Sequence, residues 1–132
     1  MIEFDKKTVG AFGEKWCEKY AKKKKKLKIL AKNKTIGHLE ADIIAYDKEH
    51  IVFIEVKTRS ENQMLEAKDS VTLSKQKKII LTAMDYISKT EKDKILRFDV
   101  FEVIHKDGKL LRFRKTEGAF EADERVLGDY HF

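Results

Sequence analysis

The chain has 132 residues, of which 29 are Lys or Arg and 23 are Asp or Glu, leaving a formal net charge of +6. That length suits one mixed-layer domain around a single core, and the basic excess favours a polyanionic partner. The opening MIEFDKKTVG lacks the apolar stretch of a secretory leader, and no run approaches the ~20 apolar residues that span a bilayer, so a cytoplasmic protein with no membrane partner is expected. The lone Cys17 excludes an internal disulfide, and His38, His50, His105 and His131 lack the spacing of a structural zinc site.

There is no proline, no Gly/Ser-rich linker and no repeat, so residues 1–132 are expected to form one domain. Over about residues 7–25, Val9, Phe12, Trp16 and Tyr20 recur at helical spacing, which predicts an amphipathic helix with its aromatics toward a sheet. LKILA (27–31), LEADIIAY (39–46) and IVFIEVK (51–57) then predict a meander of three strands. The polar stretch SENQMLEAKDS (60–70) is expected to be a loop beside a site. A second helix is predicted over residues 73–89, where Gln76, Ile80, Ala83 and Ile87 form one stripe and Ser70 or Thr72 caps the start. RFDVFEVI (97–104) and KLLRFRK (109–115) form a hairpin across a glycine turn, and the tail from Gly118 is expected to be mostly irregular. The order α-β-β-β-α-β-β implies an α/β fold, a mixed β-sheet flanked by helices, because a helix between the third and fourth strands permits a parallel crossover.

The third strand poses a chemical problem. Ile51, Phe53, Glu55 and Lys57 share one face and Val52, Ile54 and Val56 the other, so a carboxylate and an ammonium stand within an apolar, central strand. A charge removed from water needs a partner. A hairpin turn centred between Lys48 and Glu49 pairs residues whose numbers sum to 97, which sets Asp42 opposite Glu55 and Glu40 opposite Lys57. Lys-Glu is a poor tight turn, so the four-residue loop from Asp47 to His50 is expected. Two carboxylates about 5 Å apart repel by roughly 3 kcal/mol at an effective dielectric near 20. Either Lys57 or a hard divalent cation such as Mg²⁺, with Mn²⁺ as a substitute, should lie between them. Mg²⁺ is content with one or two carboxylates and leaves room for phosphate oxygens, and a bound divalent ion supplies hydroxide near neutral pH. With Lys57 offsetting the developing charge, this spacing suits phosphodiester hydrolysis. An ordinary same-face ion pair is the competing explanation of Glu-x-Lys.

Glu14 lies at the margin of the first helix's apolar arc, beside Gly10, Cys17 and Ala21, and is either a third metal ligand or a glutamate near the positive helix end. Gln76 points toward the sheet near a helix N-terminus, where it contacts phosphate or serves as a cap. Lys75, Lys77 and Lys78 beside it are candidate phosphate contacts, whereas the lysine run at 22–26 also suits a helix C-terminus.

GAFGE (10–14), Asn33, EADIIA (40–45), FIEVKTR (53–59), KQKK (75–78), RFDV (97–100) and the late Ala119-Phe120 occur in an order that resembles the YraN-like protein family over nearly the whole chain. The chain departs from that pattern at Leu39, where the family has glycine, and at Cys17, where alanine is usual. The resemblance implies a minimal restriction-endonuclease-like fold of the PD-(D/E)xK nuclease superfamily, similar to archaeal Holliday junction resolvases. Carried over residue by residue, it implies an active site of Glu14, Asp42, Glu55 and Lys57 with Gln76 beside it; metal ligation is expected of Asp42, Glu55 and Glu14, and nucleic-acid contact of Arg59, Lys75, Lys77 and Lys78. The expected function is a Mg²⁺-dependent nuclease, with DNA favoured over RNA. The alternatives are a binding protein of the same fold without catalysis, or a junction resolvase proper, which requires a symmetric homodimer.

Overall fold

The computed structural model describes residues 6–24, 26–63, 66–90, 93–107, 109–123, 126 and 128. Along the chain these form α1 (Lys6–Lys23), β1 (Lys28–Ile36), β2 (Leu39–Tyr46), β3 (His50–Ser60), α2 (Leu73–Lys89), β4 (Ile95–Lys106) and β5 (Lys109–Thr116), the element order expected from hydrophobic patterning. The five strands make one sheet in the order β1-β2-β3-β4-β5. Neighbours are antiparallel except β3 and β4, which run parallel because α2 carries the chain back across the sheet between them.

The two apolar faces of β3 are explained by what covers them. Ile51 and Phe53 join a core with Ile79, Ile80 and Ala83 of α2. Val52 and Ile54 join a second core with Cys17 and Ala21 of α1. The sheet is thus packed between two helices and β3 is central, as its composition requires. The Thr72 hydroxyl accepts from the Lys75 N–H and caps α2, whose buried residues are Gln76, Ile79, Ile80 and Ala83. Close approach of α1 depends on Gly13, where a Cβ would lie 2.6 Å from Val103 Cγ2 and 3.2 Å from Val56 Cγ1. Val9 and Phe12 of the expected stripe, Gly10 beside Glu14, and Lys25 at the helix end lie outside the described residues or side chains.

Several boundaries differ from expectation for identifiable reasons. β1 extends to Ile36 rather than ending at 31, because its outer half, KNKT, is an exposed edge with no apolar alternation to betray it. β3 continues to Ser60, and the segment expected to be a plain loop contains two 3-10 turns, Glu61–Gln63 and Ala67–Ser70. Residues 117–123 have no helix or strand, whereas the backbone at Val126 is helical and the remainder of the tail lies outside the described residues apart from Gly128; Phe120 and Val126 are buried in the α2-side core, with Phe120 stacked on Phe98 at 5.3 Å. Among the aromatics of α1, Tyr20 packs on Phe101, whereas Trp16 lies at the rim of the sheet and is 42% exposed. No helix among the described residues is long and apolar enough to cross a membrane.

Candidate active site

The β2–β3 hairpin turns through four residues between the pair Tyr46 and Ile51. Asp47 holds the turn, its carboxylate accepting from the backbone N–H groups of Glu49 and His50. From there the ladder keeps the register in which numbers sum to 97, through Ile51, Val52, Phe53 and Ile54 opposite Tyr46, Ala45, Ile44 and Ile43, and then stops. One step further on, the Val56 N–H donates to Asp42 Oδ2 at 2.8 Å, so the side chain of β2 stands where a ladder carbonyl would otherwise accept. Neither the expected pairing of Asp42 with Glu55 nor that of Glu40 with Lys57 therefore forms in the ladder, although the charge of Glu55 is felt at Asp42. Glu40 is paired instead with Thr35 of β1, since β2 has left β3 by that point.

The departure has a visible local cause. Ile44 and Ala41, three residues apart, both belong to the α2-side core, so the two-residue alternation of β2 slips between them. In the neighbouring strand Asn33 has φ +48°, a left-handed conformation that asparagine tolerates better than branched residues. The β1–β2 ribbon is thus kinked beside Asp42.

Glu55 is buried at this opening, and two ammonium groups approach it. Lys57 Nζ, from the same face of β3, lies 3.6 Å from Glu55 Oε1. Lys75 Nζ, from the first turn of α2, lies 3.5 Å from the same oxygen. Asp42 is less well compensated: burial, and then the charges of Glu55 and Glu14, push its carboxyl from 3.8 up to about 7, against the lowering effects of the Val56 N–H and Lys75.

The remaining candidates fall around this pair. Glu14 Oε2 accepts from Asn33 Nδ2 at 3.1 Å, and its charge is felt at Asp42. Gln76 is 1% exposed and donates through Nε2 to the Val71 carbonyl at 2.8 Å, tying the start of α2 to the preceding loop. Arg59 donates to the adjacent Ser70 carbonyl and so ties the same end of that loop back to β3. Lys77 and Lys78 are exposed on α2. Two contributions were not foreseen: Lys75 as a direct partner of Glu55, and Asn33 as the residue that both kinks β1 and holds Glu14. The sole local signal for Asn33 is an asparagine set among lysines in an edge strand, since asparagine is among the few residues that enter the left-handed region readily.

Among the described residues, no group of three or more His, Cys, Asp or Glu side chains is assembled to hold a metal ion. A pair of carboxylates is nonetheless the usual protein share for Mg²⁺, which keeps several waters. The donor set here fits that requirement. Lys57 and Lys75 both approach Glu55 at Oε1, and the Val56 N–H reaches Asp42 at Oδ2, so among the described residues each acid has a second oxygen with no ion-pair or hydrogen-bond partner.

Comparison with known proteins gives one consistent result. Residues 13–103, which include both strand acids, match the model of a family described as uncharacterised protein family UPF0102. A UPF0102 protein of Caldanaerobacter subterraneus subsp. tengcongensis is 42% identical over 104 residues, covering 78% of this chain and 84% of the relative. One from Clostridium perfringens is 40% identical over 116 residues, covering 86% and 94%. Another, from Clostridioides difficile, is 43% identical over 98 residues, covering 74% and 85%. With the model spanning Gly13 to Val103 and relatives this similar over most of their own length, the chain belongs to the UPF0102 family, the one that the YraN-like motifs indicate.

Proposed function

We propose that the protein is a Mg²⁺-dependent nuclease that hydrolyses phosphodiester bonds in nucleic acid, with DNA the preferred substrate. The observation that carries this reading is the pair Asp42 and Glu55 at the point where β2 leaves β3, with two lysine ammonium groups on the inner acid. A folded chain gains nothing in stability from a half-compensated acid whose carboxyl is pushed to about 7. A divalent cation offsets that repulsion.

In this reading Asp42 and Glu55 hold the ion, with Glu14 close enough to be felt at Asp42. The bound ion supplies Lewis acidity toward a phosphodiester oxygen. Lys57 and Lys75 hold the substrate's non-bridging oxygens and offset charge as it develops, since each lies at the mouth of the site while touching Glu55. Asp42 competes between proton and cation, so ion binding weakens as pH falls below about 7. Gln76 and Arg59 act on position, because their hydrogen bonds to the adjacent Val71 and Ser70 carbonyls fix the end of the loop that leads into α2, one from the helix and one from β3.

The test is cleavage of labelled single-stranded DNA, duplex DNA, a four-way junction and RNA, each with Mg²⁺ or Mn²⁺. Cleavage by the wild type that disappears in Asp42→Ala, Glu55→Ala and Lys57→Ala is the expected result; cleavage that survives both acid substitutions refutes the proposal. One observation favours a second reading, a nucleic-acid-binding protein without turnover: the two ammonium groups already neutralise Glu55 internally. Salt-dependent binding to every substrate with no cleavage under either metal would establish it.

A further inference from the structure

On the far flank of α1 from Glu14, a groove of about 330 Å³ runs between that helix and β5. Its floor is a row of rings: Tyr20 to Phe101 at 6.0 Å, Phe101 to Phe113 at 5.3 Å, and Phe113 to Trp16 at 5.9 Å between centroids. Trp16 ends the row at the surface, more than two-fifths of it open to water. Lysines stand along the rim, with Lys19 Nζ 5.1 Å from the centre of the Trp16 ring and Lys115 Nζ 4.7 Å from that of Tyr20. Lys23 and Lys24 also line the groove, and none of its described lining residues is acidic. The acids of this part of α1 are engaged on the opposite flank, Glu14 by Asn33 and Glu18 by Lys22 and Lys32.

A large exposed ring beside several ammonium groups, with no acid among the described lining residues, suits a ligand that is both flat and anionic. Duplex nucleic acid offers phosphates but hides its base faces, whereas a single strand offers both. We infer that this groove binds single-stranded nucleic acid, with a base stacked on Trp16 and the adjoining phosphates on Lys19, Lys23 and Lys115. The groove would hold an unpaired segment of the substrate outside the cleavage site. Its role rests on the proposed nuclease reading, but its binding does not.

Trp16 is the only tryptophan in the chain, so its fluorescence reports on this groove alone. The experiment uses the full chain carrying Asp42→Asn, in EDTA, so that binding is read without cleavage. An oligothymidylate of about ten nucleotides should quench Trp16 saturably and bind more tightly than a duplex of equal length. Inorganic polyphosphate, which has charge but no bases, should leave the emission unchanged. By anisotropy of a labelled oligonucleotide, Trp16→Ala should weaken binding about fivefold or more, and Trp16→Phe should restore most of it. Lys115→Glu should weaken it well beyond Lys48→Glu, an exposed charge reversal in the β2–β3 turn. Absence of quenching, or Trp16→Ala and Lys115→Glu variants no weaker than Lys48→Glu, would overturn the inference. Groove binding without cleavage by the wild type leaves this inference standing and removes the nuclease; cleavage without groove binding does the reverse.

Discussion

Replacing Asp42 by asparagine should make the metal-free protein more stable at neutral pH while abolishing the proposed activity. Burial and the neighbouring Glu55 and Glu14 raise the Asp42 carboxyl from 3.8 to about 7. A carboxyl raised on folding contributes no penalty while both states are protonated, below the unfolded value. As pH rises toward the folded value the unfolded chain ionises first, stability falls, and the whole loss is in place above about 7. The full difference corresponds to roughly 4 kcal/mol. Asp42 keeps some contact with solvent, so about 2 kcal/mol is the better expectation. Asparagine retains an oxygen to accept from the Val56 N–H, so the hydrogen bond that turns β2 into the ladder survives. Urea denaturation in EDTA at about pH 4 and about pH 8 measures the effect: the variant should be the more stable at the higher pH, with the gap closing at the lower. Mg²⁺ should then raise the midpoint of the wild type and leave the variant's nearly unchanged. A variant no more stable at about pH 8, or a gap of the same size at both pH values, would refute the electrostatic account of the site.

Three other outcomes are expected. Glu102 is fully buried and receives both Nε and Nη2 of Arg114, at 2.7 and 3.0 Å; Arg114→Met should cost about 3–5 kcal/mol in urea denaturation, and adding Glu102→Leu should recover most of that loss. Gly13→Ala should destabilise by about 1–3 kcal/mol, because the stiff, buried Val103 cannot move from the new methyl group; an unchanged midpoint would contradict the close packing of α1. The Cys17 thiol is buried, and burial together with the charges of Asp99 and Asp42 pushes its pKa up, so a thiol-specific chromogenic reagent should react slowly with native protein and promptly in denaturant.

Much of this was legible in the sequence where burial imposes a period. The apolar alternation of β2 and β3, the stripe on α2 with Thr72 ahead of it, and a helix placed between β3 and β4 together dictate the mixed sheet. The turn at Lys48 and Glu49 sets the register that holds from Tyr46–Ile51 to Ile43–Ile54; Asp42 and Glu55 lie one step past the end of that ladder, where the charge of Glu55 still acts on Asp42. What could not be read has a common cause. The outer half of β1 is exposed, so no pattern marks it as strand; the slip that keeps Glu40 from Lys57 shows only in which residues of β2 each core takes, with the left-handed Asn33 across the ribbon. The contact of Lys75 with Glu55 depends on how α2 packs over the sheet, which no local spacing encodes. Phe120 enters the core from a stretch outside helix and strand, where burial leaves no repeating trace.

The sheet order leaves β1 and β5 as its two open borders. β1 carries Lys28, Lys32 and Lys34, and β5 carries Lys109, Arg112, Arg114 and Lys115, with no acid in either strand. Two copies attempting to join their sheets border to border would bring cations together at every junction, a standing deterrent to polymerisation through strand addition. Joining of copies at either border is thereby disfavoured, and the same row of cations guards a crowded solution of the protein against fibril growth.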